Sequence, residues 1–247
     1  MLGVVTGLRS EARLLRGLDV ACISVGGRAE GAPEKIEALI RRGVTGLVSF
    51  GIAGALHPDL RAGDDVIGTA VMDESGATWR AADAWVSAVT SVAPRDLPGP
   101  EAWYQARPPR PEERVNRGPL SYLWESQAAG SFLGLDRILA SPQDKAAAFA
   151  RTGALAIDME SHHVARAAAA HGLPFIAIRA ISDRADEALP ACFADFVDAE
   201  GGTKMSAVLA ALISGRISLR ELLAAGRSSR LAHQTLLRCR GAVAGLR

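Results

Sequence analysis

The sequence predicts an α/β fold, a single domain with a central mixed sheet flanked by helices, on three observations. Short apolar runs of strand length alternate with amphipathic or alanine-rich runs of helical period, the pattern of a mainly parallel or mixed sheet. Ala and Gly are abundant while aromatics make up only 5 %, a balance that suits close helix-on-sheet packing. The chain has 247 residues with 49 % apolar content, enough for a substantial core.

The elements follow in order. Leu2 to Thr6 reads as a buried strand, closed by Gly7 before a helix carrying Glu11, Leu14 and Leu15. Glu11 points into a cleft or is a solvated residue of a first helical turn. Val20 to Val25 is a second strand ending in Gly26-Gly27-Arg28, where the backbone can approach a ligand and Arg28 can meet an anion. Pro33 to Arg42 is an amphipathic helix with Ile36, Leu39 and Ile40 inward. Gly46 to Gly54 is a strand running into a glycine turn, and after Pro58 and the Gly63-Asp64 turn another strand starts at Val66.

Between residues 94 and 119 the texture changes, because seven of the twelve prolines fall there. That density excludes regular structure and marks an insertion, either a mobile surface loop or a lid or subunit-contact loop whose Trp103 and Tyr104, with Tyr122 and Trp124 beyond, cover a ligand. Asp136 to Ser141 is then expected as a strand and Gln143 to Arg151 as a helix.

The densest chemistry lies from Ile157 to Asp186. Val164, Ala165, Ala168 and Ala169 form a small-residue helix face, and Gly172-Leu173-Pro174 stops the helix. Phe175 to Ile181 is a strand buried on both faces, broken by Arg179. A buried guanidinium needs a carboxylate, and Glu160 is the nearest in the motif. Asp183 follows the strand's carboxyl end, where open α/β sheets place ligands. These residues form a structural ion pair and a helix cap, or a working site.

Ala185 to Thr203 is an acidic loop and helix, and Met205 to Ile213 an apolar helix. The helical C-terminal tail, 216–247, is basic: from Ser206 onward there are seven arginines against one acid, Glu221. Such a tail packs by one face on its own domain or attaches reversibly to an anionic membrane.

Several classes are excluded. A formal net charge of +1 argues against nucleic acid as partner. Cys22, Cys192 and Cys239 are too few and too dispersed for a disulfide framework or a zinc site. His162 and His163 are adjacent, about 100° apart on a helix, and read as a surface pair, so no metal is expected. Charges at Arg9, Glu11 and Arg13 interrupt any signal peptide, and no run reaches transmembrane length, which predicts a cytoplasmic protein, at most membrane-peripheral.

The segments GLRSEARLL (7–15), FGIAGALHPDLRAGDDV (50–66), DMES (158–161) and RAISDRADEALP (179–190) resemble the purine nucleoside phosphorylase and methylthioadenosine nucleosidase superfamily. Within it they are most similar to bacterial hopanoid-associated phosphorylases. The likeness runs from residue 2 to about 215 and implies a nucleoside phosphorylase-like fold that cleaves the N-glycosidic bond of a purine nucleoside without a cofactor. By that resemblance Asp183 donates a proton toward purine N7, for which it must be protonated when substrate is bound; the apolar strand before it is expected to favour that form. Glu160 binds the ribose hydroxyls, Met159 packs under the sugar, and Arg179 supports Glu160 at the substrate. Ala53 and Gly54 leave room for base and sugar. Glu11 matches the glutamate that positions water in nucleosidases, whereas Gly7 and Arg28, with Arg9 and Arg13 nearby, are candidate contacts for inorganic phosphate as co-substrate. The implied substrate is adenosylhopane, an adenine nucleoside with a lipid on its 5′ end, yielding adenine and ribosylhopane or its 1-phosphate. The resemblance also implies a homo-oligomer. The alternatives are a methylthioadenosine/S-adenosylhomocysteine nucleosidase and a non-catalytic nucleoside-binding protein.

Overall fold

A computed structural model describes residues 1–26, 31–90, 97, 99–101 and 127–246. Arg28, the aromatic residues Trp103, Tyr104, Tyr122 and Trp124, and most of the 94–119 insertion lie outside them. The elements are β1 (Leu2–Thr6), α1 (Arg9–Leu14), β2 (Val20–Ser24), α2 (Ala32–Ile40), β3 (Leu47–Ala55), β4 (Asp65–Met72), β5 (Thr78–Arg80) and α3 (Asp83–Val89). There follow β6 (Gln127–Gly134), α4 (Pro142–Thr152), β7 (Ala156–Asp158), α5 (Ser161–Ala170), β8 (Phe175–Asp183), a 3-10 turn (Ala191–Phe196), α6 (Met205–Ile213) and α7 (Leu219–Gly245).

The sheet is mixed, as expected, and it closes on itself. β3 runs parallel to β1 on one edge and to β8 on the other. β8 is antiparallel to β4, β4 parallel to β6, and β6 parallel to β7. β7 returns antiparallel to the end of β3, with Gly54 opposite Ile157. β3, β8, β4, β6 and β7 thus form a ring that covers most of its own edges, while β2 extends it beyond β1 and β5 beside β4. Because β3 and β8 are buried on both faces, their sequences are apolar and small throughout.

Helix packing follows from side-chain size. α5 presents Val164, Ala165 and Ala168, all fully buried, to the sheet, and its Ala-rich face allows close approach. α7 caps the other side through Ala232, Leu236 and Val243. A smaller cluster of Cys192, Phe196, Val208, Ala211 and Ile217 sits under α6.

One expectation is corrected and one strand is added. Residues 136–141 are a loop rather than a strand; the strand is β6, just before, whose QAAGSFLG is too rich in small residues to carry a period-two signal. β7, which carries Asp158, was hidden because three residues are too short for any periodicity. The three cysteines are free thiols, and among the described residues no helix is long and apolar enough to cross a membrane.

Candidate active site

A cavity of about 630 Å³ opens at the carboxyl ends of β1, β3, β7 and β8. Glu11, Glu160 and Asp183 all line it, together with Gly7, Ala53, Gly54 and Met159. Each carboxylate is seated against a glycine, and a Cβ would collide in each case. One on Gly51 would stand 2.7 Å from Glu11 Oε1, one on Gly7 2.6 Å from Glu160 Oε1, and one on Gly54 2.9 Å from Asp183 Oδ2. The glycine turn expected at the end of β3 is therefore regular strand, and its glycines are there to admit carboxylates. Gly7, expected as a phosphate contact, lines the cavity and leaves room for Glu160 in the same way.

Glu11 is not a solvated residue of the first turn. Its Oε2 accepts from Leu8 N at 2.8 Å, capping its own helix, and its Oε1 accepts from Ile52 N at 2.8 Å. Burial raises its proton affinity, opposed by those two backbone bonds.

Arg179 is fully buried and is not among the cavity-lining residues. Its main partner is Asp158, 2.6 Å from Nε, rather than Glu160, 3.6 Å from the guanidinium. Ser49 Oγ and Ser161 Oγ accept from the same guanidinium at 2.7 and 3.1 Å. The ion pair predicted from sequence, Arg179 with Glu160, exists as the looser of two, with Asp158 the closer carboxylate, and Arg179, expected at the substrate, reaches Glu160 from behind the cavity wall. Asp158 also accepts from Ser161 N at 2.9 Å and from Ser161 Oγ. Burial is the largest influence on Asp158 and pushes it up, but Arg179 and the Ser161 bonds together hold it below the usual carboxylate range. Glu160, left with the weaker share of Arg179, is pushed by burial up to about 8, with Asp158 and Glu11 adding to the rise.

Asp183 is reached through a β-bulge. Ala53 pairs with Ile181 but Gly54 with Asp183, so Ser182 is the extra residue that re-aims the strand end. Ser182 Oγ donates to Asp183 Oδ1 at 2.7 Å. The surroundings are not the purely apolar ones expected, because a buried ammonium, Lys145 Nζ, lies 2.6 Å from Asp183 Oδ2. Lys145 also donates to the carbonyls of Arg184 and Glu187, at 2.8 Å each, tying the acid to the 184–190 wall of the cavity. Sequence reasoning missed Lys145. The available signal was a lysine on the same face of α4 as the buried Ala148 and Phe149.

His162 and His163 form a buried pair rather than a surface one. The helix start packs them against β6, and both Nε2 atoms converge on Asp136 Oδ1, at 2.9 and 2.8 Å. Together the three residues place ligand atoms within 4.8 Å of one another. Arg166 donates to His163 Nδ1 at 2.8 Å, and a guanidinium cannot accept, so His163 carries its proton on Nε2 toward Asp136. That tautomer disfavours a metal at Nε2.

Of the other cations considered for phosphate, Arg9 is held at the Glu200 carbonyl and Arg13 is exposed; neither lines the cavity. The remaining walls are largely apolar: Ile52, Ile138, Leu139, Phe193, Phe196, Val197 and, from α7, Leu222, Ala224 and Ala225.

The fold and this site define a member of a known class. Residues 14–214 match the phosphorylase superfamily, and the chain belongs to it, an enzyme family of nucleoside phosphorylases and nucleosidases. The matched span contains Ala53, Gly54, Met159, Glu160, Arg179 and Asp183 but begins after Gly7 and Glu11. Among solved structures the chain is similar to the 5′-methylthioadenosine/S-adenosylhomocysteine nucleosidase of Neisseria meningitidis bound to methylthio-immucillin-A, at 16 % identity and TM-score 0.66 over 99 % of both chains. The corresponding Streptococcus pneumoniae nucleosidase with 8-aminoadenine matches at 18 % identity and TM-score 0.61, over 99 % of both chains. Futalosine hydrolase of Helicobacter pylori matches at 15 % and 0.60, over 97 % of this chain and 96 % of that one. These likenesses establish the fold. No curated protein sequence matches the chain significantly.

Proposed function

We propose that the chain hydrolyses the N-glycosidic bond of an adenine nucleoside, and that its substrate is adenosylhopane, released as adenine and ribosylhopane. The observation that carries the reading is the convergence of Asp183, Glu160 and Glu11 on one cavity, each against a glycine. Cleavage of this bond builds positive charge on the sugar and negative charge on the departing base. Asp183, fixed by Lys145 and Ser182, meets the departing base, and the proton the base takes up comes from the Lys145 ammonium by way of Asp183 as the glycosidic bond breaks. Glu160 takes the ribose hydroxyls, with Met159 under the sugar, and as a carboxylate it stabilises the oxocarbenium-like centre. Glu11, with both oxygens oriented by backbone N–H groups, positions the attacking water.

Water is favoured over phosphate by charge. Among the described lining residues Arg137 is the one cation, and Glu74 holds it at 2.7 Å. Two buried acidic side chains at the sugar end offer a phosphate dianion no counter-charge. The apolar walls support an apolar 5′ substituent rather than a charged one, as in the lipid nucleoside. A small 5′-thio group is the competing substituent, given the nucleosidases of similar fold.

Following adenine release from adenosylhopane and from methylthioadenosine, with and without phosphate, tests the proposal. The expected result is preference for the lipid nucleoside at a rate indifferent to phosphate, and a loss of about 10³-fold in Asp183→Asn. A rate that requires phosphate overturns hydrolysis; preference for methylthioadenosine overturns the lipid substrate.

A further inference from the structure

The helices α6 and α7 carry a surface that the catalytic reading does not use. Nine residues of α6, Met205 to Ile213, include no charge, and three of them on one face, Met205, Leu209 and Ile213, are solvent-exposed, Ile213 by 87 %. After the Gly215 turn, α7 opens with two more exposed leucines, Leu219 and Leu223, at 62 % and 54 %. At 100° per residue, Leu219, Leu223, Leu237 and Arg230 fall on one arc of α7 with Arg220, Arg227 and Leu231 beside them, all of them exposed. No acid lies in that arc. Glu221 points away, lining the cavity and accepting from Ser218 N at 2.8 Å as the helix cap. Arg216, also exposed, has Asp195 at 3.6 Å, but Arg220, Arg227 and Arg230 make no ion pair among the described residues.

Leucines in solvent are costly when contiguous, and a patch of them mixed with unpaired arginines has a specific complement. Apolar side chains can enter the acyl boundary of a bilayer while guanidiniums stay at the headgroups. A second copy of the chain is the poorer partner, because a two-fold interface would set this arginine arc against itself. We infer that the outer face of α6 and α7 docks reversibly on an anionic membrane surface. The inner face of the same α7 turns lines the cavity through Glu221, Leu222, Ala225 and Ser229, so docking brings the cavity beside the bilayer. That consequence rests on the proposal of a lipid-linked substrate; the docking itself does not.

Flotation of the full chain with phosphatidylglycerol-containing vesicles, against pure phosphatidylcholine vesicles, tests it. The chain is expected to float with the anionic vesicles only and to be released by high salt. Arg220→Gln and Arg227→Gln should each weaken partitioning about fivefold. Leu209→Asp with Ile213→Asp should abolish it, while every variant cleaves a soluble adenine nucleoside at the parental rate. Absence of flotation, or flotation that these variants leave intact, overturns the inference. So does light scattering in which the aspartate variant turns a dimer into a monomer, since the patch is then covered by a second copy. If the chain floats but releases no adenine from the lipid nucleoside, the proposed substrate fails and the docking surface stands.

Discussion

Two buried ion pairs flank the cavity, and they use the same chemistry to different ends. Arg179 and Asp158 lie behind the sugar end, where a planar guanidinium spreads its donors over Asp158, Ser49, Ser161 and the edge of Glu160. Lys145 and Asp183 lie at the base end, where the cation is again hidden but its carboxylate faces the cavity. In the first pair both charges are hidden, and the group that lines the cavity is the poorly compensated neighbour, Glu160. In the second the compensated carboxylate itself lines the cavity and is the group proposed to act on the base. A buried charge costs several kcal/mol unless paired, so placing three carboxylates in one cavity requires such hidden cations. At Arg179 the carboxylate with the larger share of the cation, Asp158, stays ionised, and the other, Glu160, is left able to hold a proton.

Breaking the pairs separately gives the largest effect. Arg179→Met strands Asp158 where solvent cannot reach it, and a loss of about 3–5 kcal/mol is expected from the denaturation midpoint. Lys145→Met strands Asp183 at a cavity that solvent enters, and the expected loss is smaller, about 1–3 kcal/mol, with adenine release falling more than stability does. Equal destabilisation by the two variants would show that the pairs are not different in kind.

The difference also explains what the sequence could disclose. Asp158, Glu160, Arg179 and Asp183 sit within one short stretch, so their grouping needed no tertiary information beyond a strand and a helix. Arg179 was legible because a guanidinium in an apolar strand demands a partner; choosing Asp158 over Glu160 required the short strand β7, which has too few residues to announce itself. Lys145 was harder to read for another reason. It reaches Asp183 across 38 residues of chain, and its one mark of burial, a face shared with Ala148 and Phe149, is masked on a helix that also exposes Asp144 and Arg151. His162 and His163 were misplaced because helical spacing alone cannot show that Asp136 lies within reach of both. The glycines of FGIAG pointed to the site, yet as strand positions opposite carboxylates rather than as a turn.

A smaller effect tests the seats of the carboxylates. A methyl in Gly51→Ala would fall 2.7 Å from Glu11 Oε1, in a strand that cannot shift between β1 and β8. Overpacking of this kind costs about 1–3 kcal/mol. Because the yielding part is the Glu11 side chain, the expected outcome is loss of its bond to Ile52 and a hydrolysis rate reduced about tenfold or more, with KM for the nucleoside little changed. If KM rises and the rate persists, Glu11 serves binding rather than water.

The last effect is in pH dependence, and it distinguishes Glu160 from Asp158 directly. Burial pushes Glu160 up to about 8 from an ordinary value of 4.5. Across that window the folded chain retains a proton that the unfolded chain has released, so its stability falls as pH rises from about 4.5 to about 8 and levels off beyond. Asp158, held low by Arg179 and Ser161, acts oppositely, losing its stabilisation only as pH falls through the acid range. Glu160→Gln has no proton to lose. Its stability relative to the parent should therefore improve between pH 5 and pH 8.5, by about 1–3 kcal/mol in denaturant midpoints, whatever its offset at pH 5. In the parent the same ionisation should appear in kcat/KM, which reports the free enzyme. If, as proposed, Glu160 stabilises the oxocarbenium-like centre as a carboxylate, the rate should climb toward about pH 8 where stability declines. Parallel stability curves for variant and parent would place the uncompensated charge elsewhere in the cavity, and Glu11, the other carboxylate raised by burial, would be the group to replace next.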